Sequence, residues 1–267
     1  CYDIPVLRQL AAAVDFSPSL SRAVENDYVQ ELGLEQTVNG IDCRIEYVIV
    51  DGAQLNVFFT LSGGDKLLVD SQVLQSSGER FGSVACGGPT NPDENGLYRQ
   101  RAEFINGDMP GELLFCLNVY EGSDKNRAAQ FNFRLEFDPN LTAQPEVIEL
   151  NREFETGGQT LIFRSAEIYP THMRLNFAAD GGNSAWLDDI ELYVTDGDGN
   201  VYDSVGSGIT SFGTGETPDT DTWQLESPYF VDCDSLTLHI TGAVWLDKDA
   251  EPVMINLATL EHGELPQ

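Results

Sequence analysis

From Asn39 onward the chain alternates. In "IDCRIEYVIV", residues 41–50, Ile41, Cys43, Ile45, Tyr47 and Ile49 take every second place, and "LNVFFTL" resumes after a break at "DGAQ". A side-chain period of two belongs to a strand with one face turned inward, and Asp-Gly between two such runs makes a hairpin turn. "KLLVDSQVL", "LYRQRAEF", "ELLFCLNVY" and "QFNFRLEF" continue the pattern, so this half reads as six or seven antiparallel strands. Residues 85–96, "ACGGPTNPDENG", interrupt it and read as a loop.

The alternation leaves little room for helix. Only residues 4–13, "IPVLRQLAAA", and 19–32, "SLSRAVENDYVQEL", qualify. In the second, Leu20, Val24, Tyr28 and Leu32 share one face at helical spacing. Ser17 followed by Pro18 supplies an N-terminal cap and a first-turn proline.

Residues 138–146, "DPNLTAQPE", carry Pro139 and Pro145 without apolar periodicity and read as a linker. A second strand series follows: "QTLIFRSAEIYP", "HMRLNFAAD", "WLDDIELYVTD", "NVYDSV", "TWQLE", "SLTLHITGAVWL" and "PVMINLATL". The Gly-rich residues 206–221 form a surface loop within it. The expectation is an all-β chain. A helical segment over 1–35 precedes one β-sandwich over 36–138 and a second over 147–267.

Within the second series, "TDGDGN" (Thr195–Asn200) poses a choice between a calcium loop and a hairpin tip. An EF-hand needs Gly at the sixth loop position, Glu at the twelfth and helices on either side. Counted from Asp196, those positions hold Val201 and Ser207, and the flanks "IELYV" and "VYDSV" are strand-like. The turn is therefore expected, with Asp196, Asp198 and Asn200 as a weak candidate calcium cluster to which Asp180, Asp188 and Asp189 would add if they lay near. No cofactor is expected.

The formal charge is −30. Such a surface repels nucleic acid and anionic lipid, so neither is an expected partner. No stretch has the ~18 apolar residues that a membrane span requires. The chain begins at Cys1 without Met or signal peptide, as a mature or trimmed product would. Five cysteines are odd in number: Cys43 reads as a buried strand residue, and Cys86 has either Cys116 or Cys233 as a candidate disulfide partner. With no C-x-x-C, zinc and dithiol redox sites lack their signature.

Catalytic signatures are missing as well. There is no G-x-S-x-G, H-E-x-x-H or phosphate loop. Alternation turns His172, with Arg174 and Asn176, away from the face of Met173, Leu175 and Phe177; it likewise turns His239 outward, and His262 sits in the tail. Trp186 and Trp223 are candidate ligand-stacking residues, while Trp245 lies beyond a kink expected at Gly242 and reads as core.

"QTVNGIDCRIEYVIVDGAQLNVFFTL", residues 36–61, resembles the first β-domain of extracytoplasmic proteins from Gram-positive bacteria. "GQTLIFRSAEIYPTHMRLNFAAD" and "LDDIELYVTDGDGNVYDS" resemble the immunoglobulin-like domain that follows it. Both families are of unknown function and occur in single-pass membrane proteins described as anti-sigma-factor-like. The resemblance implies an upstream membrane helix, with "IPVLRQLAAAV" as the juxtamembrane segment, and Asp196 and Gly199 match the family's turn. It transfers no catalytic residue. The resulting expectation is a non-enzymatic extracytoplasmic ectodomain that binds or senses a protein or cell-wall component. The alternatives are a surface adhesion or glycan-binding module, and a secreted hydrolase with a carboxylate pair. Cys1 as a lipidated residue is a variation on the anchor.

Overall fold

The computed structural model describes residues 5–105, 109–122, 127–205, 211–213 and 220–249. Helices α1 (Pro5–Ala13) and α2 (Pro18–Glu25) open the chain. Ser17 caps α2 from an extended backbone, its Oγ accepting the Leu20 amide at 3.3 Å, and Pro18 takes the first turn. The helix stops at Glu25 rather than running on to Leu32. Asp27 adopts φ +56°, its amide donates to Val24 O and the Tyr28 amide donates to Ala23 O, so the last carbonyls are used up by a left-handed cap. Leu20, Val24 and Tyr28 still pack together, but Leu32 lies on a strand.

Eight strands form the first sandwich: β1 (Gln30–Val38), β2 (Ile41–Val50), β3 (Gln54–Ser62), β4 (Leu67–Leu74), β5 (Val84–Gly87), β6 (Tyr98–Phe104), β7 (Glu112–Glu121) and β8 (Arg127–Glu136). One sheet has the order β1-β2-β3-β6-β5, the other β4-β7-β8. Asn39 and Gly40, both at positive φ, join β1 to β2 as the two-residue turn that right-twisted strands favour. Two strands here escape the sequence reading: β1 begins inside the expected helix, and β5 inside the expected loop, where Ala85, Cys86 and Gly87 pair with Glu103, Ala102 and Arg101. Ile45, Val57, Phe59, Phe115, Phe131 and Phe133 belong to the core between the sheets.

The five-stranded sheet is buried on its other face too. Tyr47, Ile49 and Phe58 point away from the sandwich and meet Leu10, Val14, Leu20 and Val24 of the helical hairpin. Fully buried side chains such as Leu10, Val14 and Phe58 each contribute roughly 1.5–3 kcal/mol, which lets helices this short persist.

A short 3₁₀ turn, Pro139–Leu141, leads to the second sandwich. Its strands are β9 (Glu146–Thr156), β10 (Gln159–Ile168), β11 (Met173–Ala179), β12 (Ala185–Asp196), β13 (Val201–Tyr202), β14 (Ser211–Gly213), β15 (Thr220–Leu225) and β16 (Leu236–Asp247). The sheets are β14-β15-β11-β10-β9 and β13-β12-β16, with Phe177, Trp223, Ile190, Leu192 and Tyr202 between them. β9 is absent from the sequence reading, and β14 lies in the expected loop. "PVMINLATL" and His262 fall outside the described residues. The chain is thus all-β, two sandwiches behind a short helical segment. No helix among the described residues is long and apolar enough to cross a membrane.

Candidate functional site

The outer face of β6 carries Arg99, Arg101 and Glu103, alternating with the core residues Tyr98, Gln100, Ala102 and Phe104. Charged side chains on a strand face normally mark solvent. Here all seven positions are buried, because the helical hairpin and the second sandwich cover that face. Arg99 lies over the Phe16 ring at 4.1 Å, and burial pushes its guanidinium down to about 10.

Glu103 is the centre of the junction. Its Oε1 accepts from Arg174 Nη2 and, at 2.6 Å, from Gln224 Nε2, both on the second sandwich; its Oε2 accepts from Gln54 Nε2 at 2.9 Å. Arg174 also reaches back to the Phe104 carbonyl at 2.9 Å. Burial opposes ionisation of Glu103, but the guanidinium groups of Arg174, which also bonds to it, and Arg101 help hold its carboxyl below the ordinary glutamate range.

Asp51, in the β2–β3 turn, is the second tie. Its Oδ1 accepts the amides of Ala53 and Gln54, fixing the turn, and its Oδ2 accepts the Thr171 amide at 3.1 Å and the Thr171 hydroxyl at 2.6 Å. The Thr171 proton is thereby used, so the 2.9 Å contact to His172 Nδ1 requires that nitrogen to donate. His172 Nε2 is then left 3.6 Å from Glu103 Oε1, buried and without a hydrogen-bond partner. The imidazole stacks on Tyr169 at 4.7 Å. Burial lowers its proton affinity below the histidine norm, even though Glu103 and Asp51 both favour the cation.

A third carboxylate faces the other way. Glu226 follows β15, and its Oε2 accepts from Ser17 Oγ at 3.0 Å, from the Ser19 amide at 2.8 Å and from the Ser19 hydroxyl. It places negative charge at the first turn of α2, where the free amides and the helix dipole favour it. Ser227 continues the contact through its amide to Ser19 Oγ. Three buried carboxylates therefore tie three units together.

His172 and Arg174 do face away from their own sandwich's core, but they are not solvent-facing: they are 0% and 6% exposed under the first sandwich. His239 stands on an outer sheet face, stacked on Tyr193 and bonded to Thr195 Oγ1. The Asp51–His172–Glu103 grouping has the residue types of an acid–base site, yet both carboxylates and the imidazole are sealed at 0% exposure.

The second sandwich is open at one end. A cleft of about 840 Å³ is lined by Ile148 and Leu150 of β9, Phe163 and Ile168 of β10, and Leu236 and Leu238 of β16. Gln144, Pro145, Met173, Pro228 and Tyr229 close its junction side, and Glu146, Cys233 and Asp234 also border it. Burial, and then the nearby Asp196, Asp232 and Asp234, raise the Cys233 thiol above its ordinary range.

The residues singled out in the sequence are scattered. Asp196 is engaged by its turn: its carboxylate accepts the Asp198 and Asn200 amides, Asn200 Nδ2 and the Tyr202 hydroxyl, at 2.7–3.0 Å. The Asn200 side chain is the main cause of a carboxyl held down at about 2. Asp180 turns onto the Gly182 amide and Asp189 onto that of Ile190, near the opposite end of β12. Among the described residues no three His, Cys, Asp or Glu are grouped as metal ligands would be.

Trp223 belongs to the core, edge-on to Phe177 and 6% exposed, so it offers no ring face for stacking with Trp186. Trp186 is exposed, with Lys248 Nζ 4.3 Å from its ring centre. Cys43, Cys86, Cys116 and Cys233 are all free thiols. Neither candidate pairing of Cys86 is formed: Cys86 is exposed on β5, Cys116 is buried on β7, and Cys233 lies in the other sandwich. Cys1 is outside the described residues. Sequence reasoning missed Asp51, Glu103, Gln224 and Glu226; the available signal was three charges alternating on one face of "YRQRAEF".

The family model of a domain of unknown function (DUF4179) matches residues 2–63, and that of a second family of unknown function (DUF5643) matches residues 145–262. No curated protein matches the chain. The conserved domain protein from Bacillus anthracis, known from its crystal structure, is similar in fold: the TM-score is 0.52 at 18% identity, covering 74% of this chain and 72% of that one. The chain is therefore similar to two domains of unknown function in tandem, the first spanning the hairpin through β3 with Asp51, and the second spanning the described second sandwich with its cleft.

Proposed function

We propose that this chain is the extracytoplasmic part of a membrane-anchored protein of the anti-sigma-factor-like kind, a non-enzymatic unit that binds a ligand in the cleft and senses it through the domain junction. One observation carries this reading: the cleft wall and the junction are made from the same segments. Met173 sits between His172 and Arg174, Pro228 follows Ser227, and Gln144 follows Ala143, which bonds to Gly52 and to the Tyr28 hydroxyl. A ligand that displaces any of these bears directly on the ties to Asp51, Glu103 and α2.

The sealing of Asp51, His172 and Glu103 supports a non-enzymatic role, since a substrate has no approach to them. The charge of −30 supports partners other than nucleic acid or anionic lipid. The resemblance supplies the anchor, the sigma-factor context and the immunoglobulin-like character of the second sandwich.

Hydrogen exchange tests the reading. Binding of a cell-wall fragment or a polypeptide should protect β9 and change exchange at Gly52, Thr171 and Ser227. A ligand that binds with no change at the junction would remove the sensing role. Turnover of a glycoside, ester or peptide, lost on a single Asp or Glu substitution, would overturn the non-enzymatic one.

A further inference from the structure

We propose that the cleft takes an extended polypeptide segment of a partner protein, with Lys or Arg alternating with branched apolar residues, added as a further strand along β9. This rests on the reading of the cleft as the binding site and names its partner class.

β9 is the last strand of its sheet and pairs only with β10 among the described residues. Among the described residues that outer edge has no partner strand, and such an edge is a template on which another strand adds. Edges are usually protected by charge, shortness or a bulge. β9 has a bulge: Asn151 takes φ +47° where the register with β10 shifts. The stretch before it, Glu146–Glu149, pairs in regular register, and up to the bulge β9 carries three exposed apolar side chains, Val147 at 50%, Ile148 at 37% and Leu150 at 37%. Ile148 and Leu150 face the cleft, with Leu236 and Leu238 lining it from the other sheet. An added strand would place every second side chain in that space, and the alternate ones beside Val147 and Glu149.

Charge selects the occupant. β9 has Glu146, Glu149, Glu153 and Glu155 against the single Arg152, and Asp234 lines the cleft as well. A basic segment gains from this field, at a strength that salt reduces. A second copy of the chain does not: it would bring the same acidic strand, four Glu to one Arg, against this edge in a chain whose net charge is −30.

The test uses the full chain with p-benzoylphenylalanine in place of the exposed Ile148, and two probes, an alternating Lys-Val octapeptide and its Glu-Val counterpart. The Lys-Val peptide should cross-link and the Glu-Val peptide should not. N-methylation of its edge-facing amides and the substitution Glu149→Lys should each weaken binding by about tenfold. Cross-links to a second copy, or to another segment of the same chain, would identify a different occupant and overturn the proposal. If neither peptide binds but an apolar fluorescent dye does, and Leu150→Lys abolishes the dye signal, the partner class is wrong while the cleft remains a binding site. If the dye fails too, both fall.

Discussion

His172 Nε2 stands 3.6 Å from Glu103 Oε1, across the junction of the two sandwiches, and both side chains are fully buried. The neutral imidazole with its proton on Nδ1 turns a lone pair toward a carboxylate. A second proton would satisfy Nε2, but it would also place a cation in an enclosed site that holds Arg174, Arg101, Asp51, Glu103 and the Tyr169 ring.

The pH dependence of stability follows. The folded state holds the His172 proton affinity below the histidine norm, so just below about pH 6.5 the unfolded chain binds more protons than the folded one. Stability contributed here is complete above that pH and is lost as pH falls toward the folded value. Glu103, also depressed, adds a loss of the same sign at lower pH. Urea midpoints should drop between about pH 6.5 and 5, and His172→Phe, which keeps a ring on Tyr169, should flatten that drop. A native midpoint that rises on acidification would show His172 folded as the cation.

Arg174 and Glu103 should be far more costly to separate than to replace together. Arg174→Met leaves Glu103 buried with only amide donors, a change that costs about 3–5 kcal/mol in comparable sites. Adding Glu103→Gln should recover much of that loss, because the neutral pair no longer strands a charge. A double variant as unstable as the sum of the singles would mean the two are not coupled.

Glu226 is placed to hold the helical hairpin on the second sandwich. Glu226→Ala removes the buried acceptor of the Ser17 hydroxyl and of the Ser19 amide and hydroxyl, with an expected cost of about 1–3 kcal/mol. The loss should be local. Amide exchange in α2 should speed up while β7 and β8 keep their protection; uniform acceleration across all strands would show a global role instead.

Much of this architecture is legible in the sequence, and the exceptions share a cause. Alternation reports which face of a strand meets its own sandwich. It places Ile45 and Phe177 in their cores and His172 and Arg174 on the opposite face, but a register shift between Ile45 and Tyr47 turns Tyr47 and Ile49 to the helical side, against the single face that alternation implies. It says nothing about what covers that face. Burial of Arg101, Glu103, His172 and Arg174 is a tertiary fact, created when distant segments meet. Helical periodicity holds for Leu20 and Val24, but the helix ends at Glu25, short of Tyr28 and Leu32, and a left-handed Asp27 is a weaker stop signal than the glycine usually found there. β9 escaped because an edge strand exposes both faces, and its Glu-rich pattern resembles a loop. The cleft was invisible, since it is the gap between two sheets whose edges do not meet.

The "TDGDGN" segment permits the sharpest local test. Asp196 accepts four hydrogen bonds from its own turn, so its oxygens have a structural use. Of the turn's two glycines, Gly197 and Gly199, only Gly199 is left-handed, at φ +86°. A Cβ there would meet nothing within 4 Å, so the penalty for a side chain comes from the backbone alone. Gly199→Val should therefore cost about 1–3 kcal/mol, and Gly199→Asn less, because Asn tolerates that conformation. Asp198 contributes only its amide to the hydrogen bonds of the turn described above, so Asp198→Asn should change stability by less than about 0.5 kcal/mol. Asp196→Ala should be more damaging than Asp198→Asn, and the native Asp196 contribution, present above the ordinary aspartate range, should fade as pH falls toward 2. Melting temperatures in millimolar calcium and in chelator should coincide for the wild type. A calcium-dependent rise of several degrees that disappears in Asp198→Asn would show a metal loop where the hydrogen bonds describe a hairpin.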